Sequence, residues 1–245
     1  LVLYSFPSLC LSLPEPLPGT GFPCLRKEPN MKKLLSKYNH AIAILYLPFY
    51  LVCFFSLEAK NTTDYYVIES GLDHYIPFCE WFIIPYLLWF AYIVATVVYF
   101  FFTNKRDFTR LCLFLFVGMT ICLAIYYIWP NGHHLRQDLA ALGRENIFTR
   151  MVAHLYTIDT STNVCPSIHT LNSVGACIAI FHSNALKNKK WIRIGSLILS
   201  ISICLSTVFL KQHSILDVFA AMAVAVPLYL IAYRPGYTRI REELS

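Results

Sequence analysis

Charge-free apolar runs about as long as a bilayer is thick decide most of what this chain can fold into. No Asp, Glu, Lys or Arg interrupts Tyr38–Leu57, Trp81–Asn104, Leu111–Leu135 or Thr160–Leu186. Two shorter runs follow, Ile194–Leu210 and Val218–Tyr233. The fifth extends back to Trp191 past Arg193, and the sixth reaches full length by starting near His213 and taking in Asp217. A spanning helix needs about 20 predominantly apolar residues. Lipid offers no partner to an open backbone, so each run is expected to be a helix. The expectation is an all-α bundle that crosses the membrane six times.

Composition agrees: 57% of the 245 residues are hydrophobic and 14% are charged, against about 25% charged in an ordinary soluble domain. The net charge of +6 does not point to nucleic acid, because the basic residues cluster between the apolar runs. Thirteen lie on one side of the six-span arrangement, among them Lys105, Arg106, Lys187, Lys190 and Arg193. Five lie on the other: Lys60, Arg136, Arg144, Arg150 and Lys211. The positive-inside rule then puts both termini in the cytoplasm of a cell-membrane protein. The loops at 58–80, 130–160 and 211–212 face outward, and a short helix is expected near Asp138–Arg150. Residues 1–30 are Pro-rich and precede Met31; they read as a disordered upstream extension. Residues 31–237 read as the membrane domain and 238–245 as a short tail. The nine cysteines have no metal-ligand spacing, so neither a metal nor another cofactor is called for; a disulfide between Cys79 and Cys165 remains open.

A few polar residues do not suit lipid burial. Asp217 at the head of the last run would cost roughly 2.5–3.5 kcal/mol if central and unpaired. His213 lies four residues earlier, on the same helix face. The carboxylate can hold one ring nitrogen and leave the other as a free lone pair. His169 opens the fourth run, and two crossings later the chain returns to the same depth at His213. Arg136 lies in the outward loop within reach of that depth. His133 and His134 stay open as site residues, while His40, His74, His154 and His182 read as solvated or capping. One carboxylate, two imidazoles and cations at the lipid–water boundary suit a phosphoryl group carried on a lipid.

The segment Cys165-Pro166-Ser167-Ile168-His169 resembles the P-S-G-H motif of the type 2 phosphatidic acid phosphatase superfamily. Ser206-Thr207 through His213 to Asp217 resembles its S-R-x5-H-x3-D motif. With Ile168 for Gly and Thr207 for Arg, the pattern is similar to the inositol phosphorylceramide synthase branch and to sphingomyelin synthases. The resemblance implies the superfamily's six-transmembrane, haloperoxidase-like helical bundle. It also implies that His213 is the nucleophile, that Asp217 orients it, and that His169 protonates the leaving group and later activates the acceptor. Ser167 would help bind phosphate.

The family's K-x6-R-P motif is degraded here: Gln137 follows Arg136, and Trp129 stands where the Lys would be. Arg136 and Lys211 are the expected phosphate-binding cations, with Arg144 and Arg150 as replacements. The function expected is a metal-independent lipid phosphatase acting through a phosphohistidine at the outer face. Its partners are a lipid phosphate and the surrounding membrane lipids. The alternatives are a lipid phosphotransferase and a non-enzymatic lipid transporter or binding protein.

Overall fold

A computed structural model of the chain describes residues 43, 45–60 and 64–233. The expectations for residues 1–30 and 238–245 lie outside these. Seven α-helices make up the described part: α1 (Tyr46–Ala59), α2 (Ile83–Thr103), α3 (Lys105–Ile128), α4 (Ile147–Ile158), α5 (Ile168–His182), α6 (Lys190–Phe209) and α7 (Ile215–Tyr233). A two-residue strand β1 (Tyr66–Val67) pairs in parallel with β2 (Asn131–Gly132), in the register Tyr66 to Asn131 and Val67 to Gly132.

Four helical segments are long and apolar enough to cross a membrane: Glu80–Thr103, Lys105–Ile128, Lys190–Phe209 and Ile215–Tyr233. α1 and α5 are apolar but shorter. The outer faces are apolar, with Phe90, Val94, Ile198, Ile201, Phe219 and Val226 all exposed. Exposed apolar surface this continuous belongs against lipid.

Three helix boundaries differ from the charge-free runs, each for a local reason. α3 starts at Lys105, six residues before the apolar run, because Asn104 caps it. The Asn104 side chain accepts from Arg106 N at 2.9 Å and Asp107 N at 3.1 Å, meeting two of the helix's orphan donors. At its other end α3 stops at Ile128. Pro130 cannot extend the ladder, and Asn131–Gly132 pair with β1 instead. α5 begins only at Ile168. Residues 160–167 carry no charge, but they are rich in hydroxyls and include Asn163 and Pro166, which favour turns over helix. The short helix α4 covers Ile147–Ile158 rather than the region around 138–150. Asp138 Oδ1 turns the chain by accepting from Ala140 N and Ala141 N, and Gly143 has φ +64°. Asn146 then opens the helix with a capping box.

α5 is the hub: it packs against α2, α3, α6 and α7, and Leu171, Ser173 and Ala176 on it are fully buried. Its contact with α3 depends on two glycines. A Cβ on Gly175 would lie 2.4 Å from the Phe114 ring, and one on Gly118 would lie 2.8 Å from Leu171. Small residues let membrane helices approach this closely. The start of α5, the end of α6 and the start of α7 therefore meet at one end of the bundle.

Candidate active site

His213 sits in the five-residue turn, 210–214, between α6 and α7. Lys211 takes the left-handed conformation there, with φ +56°, which ends α6 and reverses the chain. Gln212 N and His213 N both donate to Thr207 O at 3.0 Å. Asp217 lies in the first turn of α7, completely buried. Its Oδ2 lies 3.1 Å from His213 Nδ1 and accepts from Ser214 N at 3.0 Å. The spacing of four along the chain thus becomes a carboxylate–imidazole pair. With Nδ1–H given to Asp217, Nε2 carries the lone pair. Ser167 N donates to Asp217 O at 3.1 Å, which fastens the start of α5 to α7.

That fastening brings His169 to the pair. The rings of His169 and His213 are 5.9 Å apart, at 61°. The His169 ring is stacked on Tyr86 at 4.5 Å and lies tilted against Trp89 at 4.4 Å, and its buried Nε2 has no hydrogen-bond partner. Ser167 is fully buried and caps α5, accepting from Thr170 N at 3.3 Å. The loop before it is stapled by Asn131, whose Oδ1 accepts from Val164 N and Cys165 N.

Arg136 reaches the same region. Its guanidinium donates to Gln212 Oε1 at 2.7 Å, to Tyr156 O at 2.9 Å and to Asp159 O. It also lies over the Tyr156 ring at 4.6 Å. Tyr86 OH and Gln212 Nε2 both donate to Asp159 Oδ2, at 2.8 and 3.3 Å. A continuous polar network therefore runs from Arg136 through Gln212, the residue next to His213, to the tyrosine that stacks on His169.

Lys211 is held by two backbone carbonyls. Its Nζ donates to Asp73 O and Ile76 O, each at 2.6 Å. The left-handed backbone turns this side chain toward the 70–76 segment, and burial holds its pKa below the ordinary lysine value. Arg144 and Arg150 are also engaged, Arg144 with Glu80 at 2.8 Å and Arg150 with Glu145 at 3.1 Å. His133 belongs to the frame. Its Nδ1 accepts from Leu135 N at 3.1 Å, so Nε2–H donates to Gln212 O at 2.8 Å. Burial pushes its pKa down to about 4. Cys79 and Cys165 are both free thiols.

Several residues here carried no signal as individuals: Tyr86, Trp89, Asn131, Asp159 and Gln212. Only Asp73 had one, because Ser70-x-x-Asp73 has capping-box spacing. A cavity of about 370 Å³ opens beside the turn, lined by Glu69, His74, His134, Arg136 and Lys211 among others.

No curated protein and no solved structure matches the chain. Residues 145–241, which carry α4 to α7 and with them His169, His213 and Asp217, match the family model described as the PAP2 superfamily.

Proposed function

We propose that the protein is an integral-membrane lipid phosphate phosphatase that passes the phosphoryl group to His213 and then to water. The observation that carries this reading is the buried His213–Asp217 contact at 3.1 Å, with the His169 ring 5.9 Å from His213. His213 Nε2 attacks phosphorus, and the bond from phosphorus to the lipid oxygen breaks. His169, in its protonated form, gives its proton to that departing oxygen. It then takes a proton from water, which displaces phosphate from His213 and restores the free imidazole. The N–P bond leaves positive charge on the His213 ring, and the Asp217 carboxylate offsets it. Arg136 and the Ser167 hydroxyl at the start of α5 are the donors for phosphoryl charge. Lys211 is not among them, since its ammonium is turned to two carbonyl groups. We read α1 and α5 as completing six crossings, with the site on the outer face of the cell membrane.

The test is phosphate release by the purified protein in micelles from a panel of lipid phosphomonoesters and diphosphates, with and without a chelator. Release that persists with the chelator and vanishes in His213→Asn is expected. Equal release by His213→Asn would refute His213 as the nucleophile, and binding of a lipid phosphate with no turnover by the wild type would favour a transporter or lipid-binding protein.

A further inference from the structure

We propose that Asp73, on the outward segment between α1 and α2, is a positioning residue for His213. It lies outside the PAP2 match, which begins at residue 145. The inference rests on the reading of His213 as the nucleophile.

The Asp73 carboxylate is 2% exposed, and each of its oxygens is used. Oδ1 accepts from Ile215 N at 2.8 Å. Oδ2 accepts from Ser214 Oγ at 2.6 Å and from Ser70 N at 2.8 Å. The Asp73 carbonyl accepts from Lys211 Nζ at 2.6 Å. One residue therefore grips the His213 turn on both sides, at Lys211 before the histidine and at Ser214 and Ile215 after it. The carboxylate also meets one orphan donor at the start of α7, Ile215 N, from a segment 142 residues away in sequence. A buried carboxylate is expensive unless fully hydrogen-bonded, and two of the three hydrogen bonds here come from Ser214 and Ile215, the residues that follow the proposed nucleophile.

The turn needs such a clamp because its own conformation does not fix it. Lys211 is a non-glycine residue at positive φ, a conformation the surroundings must hold in place. Gln212 and His213 share one carbonyl, that of Thr207. In-line attack tolerates little error in the position of Nε2. A misplacement of about 1 Å can reduce a rate by roughly 100-fold. Asp73 touches neither His213 nor Asp217 in any hydrogen bond described, so its effect passes through the turn.

The experiment compares wild type with Asp73→Ala, Asp73→Asn and Ser214→Ala as full chains in detergent. Phosphatidic acid in mixed micelles is the probe, with rates normalised to folded protein. Deuterium exchange of the amides at 211–215 is measured in parallel. Asp73→Ala should lower kcat by about 100-fold and move KM by no more than about threefold. Its 211–215 amides should exchange faster while those in α5 and α6 keep their protection. Asp73→Asn should be milder, since one oxygen can still accept from Ile215 N. Wild-type kcat in Asp73→Ala, or unchanged exchange at 211–215, would overturn the inference. Should Asp73→Ala not fold, Asp73→Asn and Ser214→Ala decide by the same readings. A wild-type protein inactive on every lipid phosphate would sink the phosphatase reading, and the exchange data would still decide whether Asp73 holds the turn.

Discussion

Replacing Asp217 by asparagine removes one charge and changes almost no volume. The carboxylate is fully buried, with Oδ2 at 3.1 Å from His213 Nδ1 and 3.0 Å from Ser214 N. An asparagine Oδ1 in the same place can accept from both, so the turn should keep its shape. What is lost is the attraction between the carboxylate and the positive charge that the His213 ring acquires as nitrogen bonds to phosphorus. Two unit charges about 3 Å apart at an effective dielectric of about 20 interact by about 5 kcal/mol. Each 1.4 kcal/mol is roughly tenfold in rate. The gross value is an upper limit, so phosphoenzyme formation should slow by about 10³-fold. Rapid quenching of purified Asp217→Asn with radiolabelled lipid phosphate measures that step directly, and a melting curve in the same detergent checks the fold. A variant that folds normally and forms phosphoenzyme within about tenfold of wild type would refute the reasoning, because the carboxylate would then not be offsetting charge on His213.

Lys211→Met should destabilise the protein by about 2–3 kcal/mol, because two hydrogen bonds from a charged donor are lost beside a cavity that water can enter; a melting shift with little change in KM for lipid phosphate is expected. The buried imidazole of His133, with its pKa pushed down to about 4, makes stability depend on pH. Between pH 6.5 and 4 the unfolded state binds the proton and the folded state does not, so stability should fall as pH drops through that window and level off below it. The full loss is about 3 kcal/mol, and His133→Ala should remove this dependence from denaturation curves.

Part of the site was legible because close spacing becomes contact. His213 and Asp217 stand four apart and do meet, although His213 lies in the turn two residues before α7 and not on its face. His169 and His213 were placed at one depth by counting two crossings, and their rings meet. The helix ends were harder to read, since absence of charge is not the same as helical preference. The run to Leu135 contains Pro130 and Asn131, and the run from Thr160 opens with four polar residues, so the first leaves its helix early and the second enters its helix late. Lys211 shows that position along the chain does not give direction. A left-handed residue sends its side chain away from its neighbours' side, here to the carbonyls of Asp73 and Ile76. Asp73 could be seen in the sequence as a capping residue of its own short turn. Its second task, at a helix start 142 residues further on, depends on tertiary placement that no local pattern encodes. The aromatic stack on His169 is hidden for the same reason: Tyr86 and Trp89 look like any two aromatics in an apolar run.

Identification of the phosphorylated residue tests the central claim most directly. Wild-type protein is mixed with radiolabelled lipid phosphate, quenched within milliseconds under alkaline conditions and digested for peptide mapping. An acid-labile, base-stable phosphoryl group on His213, absent in His213→Asn and slower both to form and to decay in His169→Asn, is the result expected. Turnover with no covalent label on His213, or the label on another residue, would contradict it.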